Sequence, residues 1–457
     1  MLQAAEPASI VDNNDKWEAG LETDAGKVGS GYRRYGLALL MVVLTFNFLD
    51  RQIVNILAEQ IKTDLGISDA QIGLMTGFAF AVLYTVLGLP IARWAERGDR
   101  VVIISVALAV WSGFTVACGF AQSFLQLLLA RVGVGVGEAG CTPPSHSLIS
   151  DYAPREKRAS ALAFYSLGIP LGSLAGLAVG GVAADLYGWR VAFVLAGAPG
   201  LLLALVVLFT LREPRRTQTP AAVRDSAAPI SGRDAWAALR RSRTFWWMSG
   251  GAATMGFLGY GHLAFYGSFY FRNHAEALAA LVPAGSDLGP AAVLGLSLGV
   301  LVGLCGLAGT FLGGQIADWG AKRDVRIYMT LPAVAVLLGA PFFLAAASVK
   351  DLGLSFLLLT VPLTLNSLWY GPVYASAQSL VPPQCRATAS AVLLFIINLV
   401  GLGLGPLAVG LLSDGFATTM GLAEGLRWAL ITTAAAGLVA AACFLVARRS
   451  IRHEMVS

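Results

Sequence analysis

Twelve apolar stretches of roughly 20 residues constrain this chain more than any other feature, because that is the length a helix needs to cross the hydrocarbon core of a bilayer. They fall at about 35–57, 70–92, 100–121, 124–148, 159–184, 188–211, 244–271, 291–317, 326–348, 353–380, 386–412 and 424–447. Six precede a polar, arginine-rich segment at 213–243 and six follow it. In lipid each backbone N–H and C=O must be satisfied within its own segment or barrel. The fold expected is therefore an all-α polytopic membrane protein, with twelve transmembrane helices in two six-helix halves. Only 13% of the residues are charged, against about 25% in soluble domains, and this excludes a soluble reading. The expected division is a disordered cytoplasmic tail at 1–32, a first bundle at 33–212, a cytoplasmic linker at 213–243, a second bundle at 244–447 and a cytoplasmic tail at 448–457. A short amphipathic helix is expected near Ala235–Arg241 in the linker.

Charge sets the orientation. Of the 32 Lys and Arg, 25 lie on the side of the N-terminus. Five (Lys62, Arg190, Arg272, Lys350 and Arg427) lie in the opposite loops, and Arg51 and Arg131 sit within spans. Basic loops stay in the cytoplasm, so both termini are expected there, in the cell (inner) membrane. The net charge of +5 then reflects topology rather than nucleic-acid binding.

Several chemistries are excluded. The five cysteines form neither a CxxC nor a metal-ligand spacing. Glycine runs such as Gly133/Gly135/Gly137 and Gly172/Gly176/Gly180 lack the Lys-Ser/Thr of a phosphate loop and read as close helix packing. Ser145, His146 and Ser147 are adjacent on a helix and poorly placed as nucleophile and base. An enzyme is not expected, nor a cofactor or metal; the energy source would be a proton gradient. The partners expected are protons, membrane lipids and a small amphipathic substrate, with the protein a monomer.

The first span contains Asn47-Phe48-Leu49-Asp50-Arg51, where each buried charge costs roughly 2.5–3.5 kcal/mol on insertion scales. Span 4 contains Arg131 and Glu138, seven residues apart and so on one helix face, roughly 10 Å apart along the axis. Counting rise per residue puts Asp50 level with Arg131 and Glu138 nearer the cytoplasm. Asp50–Arg131 is the pair expected. Arg51 points about 100° away, towards Glu138, a substrate anion or another helix. A carboxylate whose arginine comes and goes with conformation would take up and release a proton; a permanent structural ion pair is the alternative.

The second half has no charge inside its spans. It offers Tyr260, His262, Tyr266 and Tyr270 in span 7, Asn366, Trp369, Tyr370 and Tyr374 in span 10, and Asn398 in span 11. Tyr260, His262, Tyr266, Asn366, Trp369, Tyr370 and Asn398, with Asn47, are expected around a substrate cavity. The aromatic stripes and His262 also read as packing. A charged half facing an apolar half suits an amphipathic substrate.

The halves also repeat. Ala92-Arg93-Trp94-Ala95-Glu96-Arg97-Gly98-Asp99-Arg100 follows span 2, and Gly314-Gln315-Ile316-Ala317-Asp318-Trp319-Gly320-Ala321-Lys322-Arg323 follows span 8. Glu96, Arg97 and Arg100, with Asp318, Lys322 and Arg323, are expected to form conformational latches. These loops resemble the loop motif of the major facilitator superfamily, the first departing from it at Ala92 and Glu96. Arg131 resembles its fourth-helix arginine, and Gly168-Ile169-Pro170-Leu171-Gly172 with Gly180-Gly181 its fifth-helix motif. Asn47-Phe48-Leu49-Asp50-Arg51 together with Gly135-Val136-Gly137-Glu138-Ala139 resembles the spinster family, in a bacterial member. The resemblance implies alternating access, proton coupling and gating by Asp50, Arg51, Arg131 and Glu138, and a lysophospholipid or sphingoid phosphate as substrate. A multidrug/proton antiporter for hydrophobic cations and a non-transporting membrane receptor are the alternatives.

Overall fold

The computed structural model describes residues 29–154, 157–214, 236, 239–382 and 385–455, without the side chains of 89, 92, 93, 96, 97, 159 and 387. The expected tail at 1–32 and most of the linker at 213–243 lie outside these residues. Among the described residues the chain is helical, with no strand. The twelve long helices are α1 (Ser30–Leu65), α2 (69–97), α3 (Arg100–Cys118), α4 (Phe124–Tyr152), α5 (158–187), α6 (189–210), α7 (Arg243–Asn273), α8 (Pro290–Ala321), α9 (Ile327–Ser348), α10 (Leu352–Ser379), α11 (386–420) and α12 (Leu422–Glu454).

The two halves repeat in backbone detail. α5 passes into α6 at Gly188 (φ 80°, ψ 165°), and α11 passes into α12 at Gly421 (φ 83°, ψ 166°). Only glycine reaches this region without steric cost. The same corner therefore closes the fifth helix in each half, as expected of an internal structural repeat. Gly66 (φ 63°) ends α1 as a left-handed cap. The face that carries Gly66, Gly188 and Gly421 is called the far face here; the other carries the linker.

Small residues set the helix spacing, as they must where lipid offers no hydrophobic drive. Gly168, Gly172, Gly176 and Gly180 of α5 lie against Met41, Thr45, Leu49 and Ile53 of α1, so closely that a Cβ at any of them would collide. Gly137 and Gly133 of α4 lie in the same way against Trp111 and Phe114 of α3, and Gly135 against Phe80 of α2. These contacts fix the rotation of α1 and α4, and with it the direction of their charged side chains.

Two expectations change. α12 runs on through residues 448–454, where a tail was expected. Ile451 is buried in the second half's core, and Glu454 accepts from Ser242 Oγ (2.7 Å) and Thr244 N (3.0 Å), tying α12 to the start of α7. Near the expected amphipathic helix, residues 239–241 are helical and Leu239 is buried in the same core, so that turn belongs to the second bundle.

The halves meet along two glycine-lined seams, α2 with α11 and α5 with α8, and where α7 crosses α1 at Gly267 and Asn55. Both α2 (Leu74–Phe78) and α11 (Ile397–Leu404) widen into π-helical turns, and these touch, Gly77 against Leu402 and Gly403.

Candidate functional site

The four intramembrane ions gather in the first half, paired differently from the sequence expectation. Asp50 is 1% exposed and accepts one hydrogen bond, from Thr115 Oγ1 (3.1 Å) on α3; its Oδ1 has no partner. Arg131 does not reach this carboxylate. Its Nη1 donates to the Asp50 backbone carbonyl (3.3 Å), because the α1–α4 approach brings that carbonyl, not the side chain, level with the guanidinium. The Asp50–Arg131 pair is thus corrected to a side-chain-to-backbone contact. Arg51 pairs with Glu138, Nε to Oε2 at 2.6 Å. Its guanidinium sits among the rings of Phe48, Phe80 and Tyr84 at 4.8–5.2 Å from their centroids, a cation–π cage. Arg131 shares Phe80 at 5.6 Å. Asn47, 2% exposed, lies beside Glu138 without its amide nitrogen reaching hydrogen-bond geometry.

A cavity lies between the halves next to these ions. Phe48, Arg51, Gln52, Asn55, Thr76, Phe80 and Arg131 line it from the first half, and Tyr260, Leu263, Ala264, Leu402 and Pro406 from the second. Its lining carries two arginines, amide and hydroxyl groups, and apolar side chains, with no carboxylate. Gln52 and Asn55 are joined, Nδ2 to Oε1 at 2.8 Å, and present amide edges beside Arg51. Neither was expected as a site residue, nor were Thr76 and Thr115. Two polar side chains one turn apart in a transmembrane helix were the available signal.

Of the second-half residues expected in the cavity, Tyr260 lines it. His262 does not: its Nε2 bonds Thr433 Oγ1 (3.0 Å) and its ring stacks on Phe343 (4.5 Å), between α7, α9 and α12. Tyr266 packs in the core that both halves share, beside His262. Trp369 is 1% exposed and stacks on Tyr370 at 4.1 Å in the second half's core. Asn366 faces Gly259 of α7, and Asn398 lies half-buried in the π-helical turn of α11; neither lines the cavity. In an apolar bundle, polar and aromatic side chains pair with one another across helices before they turn to a cavity.

The expected latches change as well. The side chains of Glu96 and Arg97 lie outside the described set. Arg100 is fully buried and bonds Glu213 in a fork, Asp151 (2.6 Å) and Ser147 (2.9 Å). It thus ties α3 to the ends of α4 and α6 within one half. Asp318, Lys322 and Arg323 are exposed, Arg323 resting on Trp319 at 4.9 Å. Among the described residues they bond none of the first half.

The bonds between halves lie at the far face. Arg272 of α7 forks onto Glu59 (2.8 Å) of α1 and Asp69 (2.8 Å) at the start of α2. Asp69 also accepts from Lys62 Nζ and Ser413 Oγ, each at 2.6 Å. Among the described residues no hydrogen bond or ion pair joins the halves at the linker face. The far side is thus the one at which described residues bond the halves together.

Comparison with known proteins accords with this geometry. Residues 40–406 match the Major Facilitator Superfamily model. An MFS-type efflux pump of Mycolicibacterium smegmatis is 34% identical over 440 residues, covering 96% of this chain and 98% of that one. Protein spinster homolog 1 of Mus musculus is 28% identical over 398 residues, covering 84% and 74%. The crystal structure of a bacterial homolog to the human lysosomal transporter Spinster, in an inward-facing and unoccupied conformation, superposes with a TM-score of 0.82 at 33% identity, covering 94% of this chain and 99% of that one. A twelve-helix bundle with these motifs, this cavity and these relatives is a polytopic transporter and not an enzyme: the chain belongs to the major facilitator superfamily and, within it, to the spinster family.

Proposed function

We propose that this transporter is a proton-coupled carrier of an anionic amphipath, with a phosphate or carboxylate head and an apolar tail, such as a lysophospholipid or a sphingoid phosphate. The observation that carries this reading is the cavity lining. It holds Arg51 and Arg131, the amides of Gln52 and Asn55, the Tyr260 hydroxyl and no carboxylate. Arginine is suited to a phosphate or carboxylate head. Leu263, Ala264, Leu402 and Pro406 offer the tail an apolar wall.

Asp50 carries the proton in this scheme. Glu138 is committed to Arg51, whereas the Asp50 carboxylate has no cationic partner among the described residues and accepts only from Thr115. An arriving anion competes with Glu138 for Arg51, and that exchange couples substrate to the ion network. With the termini in the cytoplasm of the inner membrane, as the Lys/Arg distribution favours, the shut far face makes the described state inward-facing. The carrier works as a monomer, with a proton gradient and no cofactor. The relative named an efflux pump supports export as the direction.

The same relative favours a second reading, efflux of hydrophobic drug-like compounds, in which Asp50 and Glu138 would meet a cation. Flux into proteoliposomes under an imposed pH gradient separates the two. Gradient-driven movement of lysolipid, lost in Arg51→Ala, is the expected result. Movement of cationic dyes alone would overturn the anionic reading, and no flux of either would favour a receptor.

A further inference from the structure

The two seams between the halves carry the same device, once in each direction. On α5 the sequence reads Gly181-Val182-Ala183-Ala184-Asp185, and on α11 it reads Gly410-Leu411-Leu412-Ser413-Asp414. A Cβ on Gly181 would strike the carbonyl of Ala291, the second residue of α8, and a Cβ on Gly410 would strike the carbonyl of Asp69, the first residue of α2. One turn further along, Gly295 of α8 meets the Leu177 carbonyl and Gly73 of α2 meets the Pro406 carbonyl with the same closeness. The two helix pairs thus share one register.

In that register each aspartate meets the start of a helix from the opposite half. Asp185 accepts from the backbone N–H groups of Gly289 (2.9 Å), Ala292 (2.6 Å) and Ala291 (3.4 Å). Asp414 accepts from those of Asp69 (3.0 Å) and Ala70 (2.8 Å). The first N–H groups of a helix have no partner within it, and a carboxylate there also meets the positive end of the helix dipole. α8 and α2 therefore have their N-terminal N–H groups capped from the other half, and the caps exist only while the far face is shut.

We propose that Asp185 and Asp414 are reciprocal locks that hold the far gate closed, and that Asp185 is the more decisive of the two. The α2–α11 seam has the Arg272–Glu59–Asp69 fork and the Lys62 and Ser413 bonds beside its cap. The α5–α8 seam has the Asp185 cap and the glycine contacts. Removing Asp414 leaves Arg272 bridging the halves, whereas removing Asp185 leaves its seam without a polar bond between described residues. The proposal concerns the gate and is independent of which substrate passes.

Spin labels at Thr63→Cys and Ala279→Cys, both exposed and on opposite halves at the far face, report its opening in the full-length, otherwise cysteine-free protein. Labels at Arg34→Cys and Arg448→Cys report the linker face. Asp185→Ala is expected to add a longer far-face distance and a shorter linker-face distance, raising the open-to-shut ratio roughly fivefold, the factor typical of a lost helix cap. Asp414→Ala is expected to move the same populations by less. Should an alanine variant fail to assemble, Asp185→Asn and Asp414→Asn keep an acceptor without the charge, and shifts in the same order support the proposal. Unchanged distances in the variants that assemble would overturn the locks. A larger shift for Asp414 than for Asp185 would overturn their ranking.

Discussion

The two halves share a backbone plan and differ in what they bury. The first holds Asp50, Arg131 and Glu138 at 1–2% exposure beside Arg51. The second fills its interior with neutral pairs, His262 with Thr433 and Tyr270 with Ser355. Breaking a buried ion pair strands a charge, while breaking a neutral pair costs far less. In the proposed scheme the first half is therefore where a proton or a new partner redistributes energy. The second serves as a comparatively inert wall, to which Tyr260 adds one hydroxyl.

The strongest way to break that contrast is to strand Arg51. Glu138→Ala is expected to cost about 3–5 kcal/mol, read by thermal unfolding in detergent. A loss no greater than that of a neutral pair would mean the first half is no more committed than the second. Packing comes next. Gly172→Val drives a branched side chain into the Thr45 carbonyl of α1 and is expected to cost about 1–3 kcal/mol. Gly306→Ala, which has open space, is expected to change little. Equal losses would show that the α1–α5 contact does not set the spacing.

His262→Phe is expected to cost about 1 kcal/mol through the lost Thr433 bond and to leave the pH profile of transport unaltered, whereas Asp50→Asn flattens it. A profile that moves with His262 would relocate proton chemistry to the second half. The smallest effect is expected at Asp324, an exposed loop carboxylate beyond α8. The Arg326 backbone N–H (2.9 Å), and then Arg452 (2.7 Å), hold its carboxyl below the usual carboxylate range. Its lowered value means that its contribution is present at neutral pH and fades only as pH falls through that value. Asp324→Asn should leave unfolding at pH 7 nearly unmoved, in contrast to substitution of the buried Arg100, which plays the same tying role in the first half.

The sequence made the twelve spans legible because lipid allows so few backbone solutions. The four ions stood out because charge in an apolar span is costly. Their levels were also readable, since rise per residue is fixed. Their partners were not. Whether Arg131 meets the Asp50 carboxylate or its carbonyl depends on helix rotation, and that rotation is set by glycine contacts such as Gly176 on Leu49, whose partners a sequence does not name. Gln52 and Asn55 were overlooked beside two louder charges. Trp369 and His262 were placed in the cavity on residue type alone, and packing within their own half claimed them. The far-face network went unread for another reason. Asp69, Asp185 and Asp414 sit at span ends, where an acidic residue looks like ordinary solvated loop.

The glycine–aspartate contacts at the seams have the form of an isologous interface, in which residue i of one body meets j of the other and j meets i. Here that dimer-like contact is written within a single chain. In a true homodimer each substitution would alter both contacts at once. Because the two copies are separate stretches of one polypeptide, Arg272 of α7 can fasten the start of α2 through Asp69, with no counterpart among the described residues at the start of α8. Covalent fusion thus lets a symmetric joint become an asymmetric hinge, with one side fastened more firmly than the other.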